Sequence, residues 1–142
     1  MTILDANILL YAHNADDPRH RPVGKWIEDL FSKGDITGLP WPTIWAFLRV
    51  STSKRVWKRP LAPREAFGTI QGWLAQPRIS VVQPGPRHAQ ILEQVVTESR
   101  STGPLVSDAV LAALAIEHGA TLASTDRDFA RFSGLRWINP LP

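Results

Sequence analysis

Three aspartates, Asp5, Asp108 and Asp126, are the side chains of this sequence best placed to do chemistry. Asp5 follows directly on the β-competent run Thr2 to Leu4, and Asp126 lies a few residues after the run Thr121 to Ala123. Asp108 falls in the second turn of a helix opened by Pro104. If the two runs are strands of a parallel sheet, ligands bind outside their carboxyl ends, and all three carboxylates converge on that edge. Carboxylates without histidine or cysteine select a hard, oxygen-seeking cation, Mg²⁺ or Mn²⁺. The reaction that fits is hydrolysis of a phosphodiester, in which such a cation polarises the phosphoryl oxygen and makes water a better nucleophile. Asn7 and Thr125 stand beside these acids and are candidates to hold carboxylates or waters in place.

Each residue also has a purely structural reading. Asp5 can cap the helix that starts at Ala6, Asp126 can complement a helix dipole, and Asn7 and Thr125 suit a helix start and a turn. Asp108 resists that treatment. Between Leu105 and Ile116 the only polar residues are Ser107 and Asp108. A helix apolar nearly all round is buried, and a buried carboxylate needs a cation, a hydrogen-bond network or a raised pKa.

The middle of the chain supplies a substrate surface. From Ile36 to Arg64 there is no acid, while Arg49, Lys54, Arg55, Lys58, Arg59 and Arg64 are interleaved with Trp45, Phe47 and Trp57. Arginine and lysine neutralise phosphates, and aromatic rings stack on unpaired bases. Arg49, after an apolar helix face, is the cation best aimed at phosphate or at a neighbouring carboxylate. The alternative is a solvated basic face over core tryptophans. His13, Asp16, Asp17 and His20 contain metal-binding residue types, but their spacing matches no zinc motif and the segment reads as an exposed loop. His88 and His118 read as helix-surface and helix-end residues.

The elements that must position these residues alternate. Strands are predicted at Thr2 to Leu4, Ile36 to Leu39, Ile79 to Val82, Thr121 to Ala123 and Leu135 to Ile138. Helices are predicted at Ala6 to Ala12, Val23 to Phe31, Pro42 to Ser51, Arg64 to Ala75, Arg87 to Arg100, Pro104 to Gly119 and, briefly, Arg127 to Phe132, with a loop from His13 to Pro22. Strand–helix alternation, with paired helices in two crossovers, specifies a three-layer α/β/α domain around a central parallel sheet. No repeat, low-complexity stretch or linker interrupts it, so residues 1–142 read as one domain.

Composition removes other classes. The chain has 142 residues, 44% of them hydrophobic, no cysteine and a net charge of +3. A real core is available, disulfides and thiolate zinc sites are not, and a mild excess of positive charge suits an anionic partner. No apolar run approaches the roughly 18 residues of a membrane span, and MTILDAN does not read as a signal peptide, which is compatible with a cytoplasmic protein. A haloacid-dehalogenase-like phosphatase would need an acid where Asn7 stands. A receiver domain would need a late lysine, and there is none after Lys58.

The strings DANILLYA at 5–12, WAFLRV at 45–50, SDAVLAALA at 107–115 and STDRDF at 124–129 resemble the PIN-domain family, specifically VapC toxins, in order and spacing along essentially the whole chain. The resemblance implies a PIN fold, Mg²⁺- or Mn²⁺-dependent endoribonuclease activity and a homodimer. It also implies inhibition by a cognate VapB-type antitoxin, and it matches Asp5, Asp108 and Asp126 to the family's acidic cluster. One departure stands out: many PIN domains carry a glutamate on the helix that here spans Pro42 to Ser51, and this sequence has no acid there. Asp128 is either a stand-in for that acid or a surface residue of its short helix, and the surface position is the expected one. A second expectation rests on composition. Trp41, Trp45, Trp57 and Trp73 exceed what one small sheet can cover, and exposed apolar area of that kind marks an interface. A non-catalytic RNA-binding or interaction domain with the same fold is the alternative from another functional class.

Overall fold

A computed structural model describes all 142 residues. The chain runs β1 (Thr2–Leu4), α1 (Ala6–His13), α2 (His20–Ser32), β2 (Thr37–Pro40), α3 (Trp41–Ser51), α4 (Pro63–Leu74), β3 (Ile79–Val82), α5 (His88–Ser99), α6 (Leu105–Glu117), β4 (Thr121–Ala123), a 3₁₀ helix (Arg127–Arg131) and β5 (Arg136–Ile138). The strands form one sheet in the order β3-β2-β1-β4-β5, every pair parallel. Each predicted strand and helix is present. All three long crossovers carry paired helices rather than two, at the positions where the individual helices were predicted. The predicted loop from His13 to Pro22 is shorter than expected, because α2 begins at His20. There His20 Nδ1 meets the carbonyl of Tyr11 at 2.9 Å, and Pro22 is tolerated in the first turn, where amides lack helical acceptors.

Alternation along the strands divides the core into two layers. Ile3, Val82 and Leu122 point to one face, against Val95 of α5, the apolar side of α6 (Ala109, Leu111 to Ala113, Ala115) and Phe129 and Phe132. Leu4, Leu39 and Ala123 point to the other, against Ile8 and Leu9 of α1, Val23 and Leu30 of α2, Ile44 and Phe47 of α3, and Ala66 and Ile70 of α4. Gly38 is required by this packing, since a Cβ there would lie 2.6 Å from Val82 Cγ2 and 2.9 Å from Ile3 Cγ1. Gly119, at φ +62°, ends α6 in the left-handed conformation that lets the chain turn into β4. No helix is long and apolar enough to cross a membrane.

From β1 the chain builds outward through β2 to β3 and then crosses to β4 on the other side of β1. The order therefore reverses between β1 and β4, and a crevice opens beyond their carboxyl ends. Asp5 N–H donates to the carbonyl of Ala123 at 3.0 Å, so the exits of these two neighbouring strands are locked side by side.

Candidate metal centre

Asp5 leaves β1 in an extended conformation and caps α1, with Oδ1 accepting from Ala6 N–H at 2.7 Å. Its capping role predicted from sequence is therefore present, and it leaves Oδ2 for other donors. Oδ2 accepts from Ser124 Oγ at 2.7 Å and from Asn7 Nδ2 at 3.1 Å. Ser124 is fully buried at the end of β4. Its hydroxyl also accepts from Asp126 N–H at 3.0 Å and from Asn7 Nδ2 at 3.1 Å. Asn7 Oδ1 takes the backbone N–H of Thr125 at 3.4 Å. Asn7 thus braces both strand exits, as its position suggested. Thr125 takes part through its backbone amide, and the hydroxyl that organises the site is that of Ser124. The signal for Ser124 in the sequence was faint: a small polar residue directly after an apolar strand.

Asp126 caps the 3₁₀ helix, Oδ1 accepting from Asp128 N–H at 2.9 Å. This turn is anchored by its apolar face, where Phe129 and Phe132 are buried with ring centroids 5.9 Å apart. Asp108 enters from the same side of the sheet as this turn, in the first turn of α6 rather than the second, because the helix begins at Leu105. A first-turn acid is favoured by the unsatisfied amides and the positive end of the dipole.

One carboxylate oxygen from each of Asp108, Asp126 and Asp128 lies within 4.8 Å of the others. Asp128 is exposed on its short helix, as expected, yet its carboxylate closes on the cluster. Asp5 stands beside this group rather than in it, close enough for its charge to act on Asp108 and for Asp126 to act on it in turn. Burial, followed by the charges of Asp126, Asp5 and Asp128, pushes the Asp108 carboxyl up to about 6, against the opposing pull of Arg131. Burial also raises Asp5, offset by the hydrogen bonds from Ser124 and Ala6. Proteins rarely gather like charges this way without a counter-charge. The donor set is all oxygen. Ligand oxygens on opposite sides of a Mg²⁺ stand roughly 4.2 Å apart, twice its bond length, so small rotamer changes let these carboxylates share one such ion. The residues fit a divalent cation.

A model of the PIN domain matches residues 2–135. The chain belongs to the PIN-domain family. Within that family it is 43% identical over 141 residues to Ribonuclease VapC31 of Mycobacterium tuberculosis, covering 99% of both chains. It is also 42% identical over 140 residues to Ribonuclease VapC37 of the same organism, covering 99% of this chain and 97% of the other. Among solved structures it resembles VapBC2 from Rickettsia felis bound to a DNA fragment from its promoter, with a TM-score of 0.71 at 20% identity over 97% of each chain. α3 carries no acid in this chain. Arg49 of α3 is exposed. It lines an open groove of about 580 Å³ with Pro42, Trp45, Ala46, Val110 and Ser107, the last adjacent to Asp108.

The remaining sequence candidates separate. Lys54, Arg55 and Lys58 are exposed between α3 and α4 and make no ion pair. Arg59 is held by Asp16, with Nη2 at 2.6 Å from Oδ1 and 2.7 Å from Oδ2. That bond, the pairing of Asp17 with Arg19 at 2.9 Å, and the stacking of His13 on Trp57 leave no metal site among His13, Asp16, Asp17 and His20. Of the four tryptophans expected at an interface, Trp45 is 61% exposed and Trp41 38%. Trp73 instead packs edge-on against buried Phe47, with ring centroids 4.7 Å apart, and Trp57 is half-buried. Composition grouped the four, but which of them meet the core was decided by α4 folding back over α3.

Proposed function

We propose that this chain is a divalent-metal-dependent endoribonuclease that hydrolyses RNA phosphodiester bonds, acting as the toxin of a pair with a VapB-type antitoxin. The observation that carries the reading is the carboxylate cluster of Asp108, Asp126 and Asp128, with Asp5 beside it, at the reversal point of the sheet. Support for the substrate and partner comes from the relatives named ribonucleases and from the antitoxin complexes of the same fold.

Asp108, Asp126 and Asp128 hold Mg²⁺ or Mn²⁺, with Asp5 beside them as a further ligand. The bound cation supplies Lewis acidity toward a phosphoryl oxygen and toward the attacking water. The protein's own contribution is placement. Ser124 and Asn7 fix the Asp5 carboxylate and the Asp126 backbone, so the ligands need little reorganisation when the ion and substrate arrive. Arg49 neutralises phosphate in the groove beside Asp108, and Lys54, Arg55, Lys58 and Arg59 carry the RNA backbone away from it. Trp41 and Trp45, stacked with centroids 6.4 Å apart, present an apolar face suited to a homodimer contact. The whole chain works as one domain, in the cytoplasm, where the substrate RNA is found.

The test is incubation of the purified protein with total RNA, with and without Mn²⁺ or Mg²⁺, followed by mapping of the ends, alongside Asp108→Asn. Cleavage that needs both the ion and Asp108 supports the reading. RNA binding without cleavage under every condition would overturn it in favour of a non-catalytic RNA-binding domain, the outcome that the missing acid on α3 would favour.

A further inference from the structure

The 3₁₀ helix after β4 has a register that points to one more working side chain. Three residues per turn place positions i and i+3 on one face. The five-residue helix and its C-cap therefore present three faces: Arg127 with Ala130, Asp128 with Arg131, and Phe129 with Phe132. The last of these is the buried face, Phe129 and Phe132 being 1% and 4% exposed, so the orientation of the other two is set. Asp128 reaches into the carboxylate cluster. Arg131 stands one turn further along on the same face.

Arg131 is exposed and makes no hydrogen bond or ion pair within the chain. It lines a small pocket with Glu98, whose carboxylate accepts from Gln94 Nε2 at 3.1 Å and from Ser133 Oγ at 3.3 Å and forms no ion pair with it. One turn of a 3₁₀ helix rises about 6 Å, so the Arg131 side chain starts within its own reach of the cluster that Asp128 enters. Arg127, four residues earlier, lies on a different face.

An anionic substrate approaching several carboxylates meets repulsion that the bound cation offsets only where it touches. A guanidinium at the rim removes more of it, and its planar fork matches two phosphate oxygens at once. We propose that Arg131 is a catalytic residue that grips the non-bridging oxygens of the phosphate at the carboxylate cluster and stabilises the charge that builds there during cleavage. The assignment rests on the ribonuclease reading above.

The test compares Arg131→Ala, Arg131→Lys and Arg127→Ala, which remove or reshape like charges on adjacent faces of one turn. Arg131→Ala should lower kcat on the order of a hundredfold, with Arg131→Lys recovering only part because a point charge lacks the fork. Arg127→Ala should stay within about threefold of wild type, as expected for a distributed phosphate attraction. A second readout avoids turnover. In metal-free buffer, anisotropy of a labelled single-stranded RNA should show weaker binding by Arg131→Ala, with a salt slope smaller by about one. Mn²⁺ affinity measured by calorimetry should hold or rise, because a positive charge near the ligands is gone. Wild-type turnover in Arg131→Ala, equal losses in Arg131→Ala and Arg127→Ala, or lost Mn²⁺ binding would each overturn the assignment while leaving the ribonuclease reading intact. If the wild-type chain and Asp108→Asn both fail to cleave RNA with Mn²⁺, the ribonuclease reading falls, and the Arg131 assignment falls with it.

Discussion

The Ser124 hydroxyl donates to Asp5 Oδ2 at 2.7 Å, joining residues 119 positions apart. This bond ties the exit of β1 to the exit of β4 and fixes the first carboxylate relative to the loop carrying Asp126. Ser124→Ala removes a charge-assisted hydrogen bond and leaves a half-buried carboxylate underbonded. It should destabilise the protein by about 1–3 kcal/mol and weaken Mn²⁺ binding. Thermal unfolding in metal-free buffer and calorimetric titration measure both. Unchanged values would mean that Asn7 alone positions Asp5.

Asp108→Asn and Asp126→Asn are expected to abolish RNA cleavage without loss of fold. Each removes a ligand and also relieves repulsion among the carboxylates. In metal-free buffer the variants should match or exceed the wild type in stability, by on the order of 0.5 kcal/mol once solvent screening is allowed for, or a degree or two in Tm. Circular dichroism with a cleavage assay separates the outcomes, and a collapsed fold would mark a structural aspartate.

The elevated Asp108 pKa has a pH signature with a definite sign. Between about 4 and about 6 this carboxyl binds more protons in the folded chain than in the unfolded one. Metal-free stability therefore falls as pH rises through that window, the penalty being absent below it and complete above it. Metal affinity runs the other way, since the proton on Asp108 must leave first, and it should drop about tenfold per pH unit below 6. Tm against pH in EDTA, with Asp108→Asn flattening the profile, checks the first effect. Mn²⁺ titrations at pH 5 and pH 7 check the second.

The basic segment makes unequal contributions. Paired alanine substitutions among Arg49, Lys54, Arg55 and Lys58 should weaken RNA binding and lower its salt slope by about one per lost phosphate contact. Arg59→Ala should cost less, because Asp16 already holds that guanidinium. Asp16→Asn should hold or tighten binding by releasing it. Anisotropy titrations at several salt concentrations distinguish these variants.

If Trp41 and Trp45 are covered by a second copy, the wild type should sediment at twice the 15.8 kDa of one chain at micromolar concentration. Trp45→Glu, which puts a charge in an apolar contact, should return it to the monomer without changing Tm in dilute solution. A wild-type monomer would assign these rings to another partner.

The sequence by itself determined the order of elements and the edge at which the chemistry gathers. Asp5 follows a strand directly, and Asp108 is nearly the only polar group in an apolar helix. Parallel topology then brings both to the carboxyl ends of the strands, because local periodicity reports which element forms and which of its faces is apolar. What only the tertiary structure decided depends on distances between segments remote in sequence. Ser124 became the organising hydroxyl because β4 pairs with β1. Asp128 joined the cluster because its turn is a 3₁₀ helix pinned by Phe129 and Phe132, which sets the direction of the side chain just before Phe129. Arg59 was taken up by Asp16, and Trp73 by Phe47, while Trp45 stayed in solvent. Residue type and spacing cannot separate these outcomes, since a charge or an indole is equally at home on either side of a helix until a neighbouring layer covers one of them.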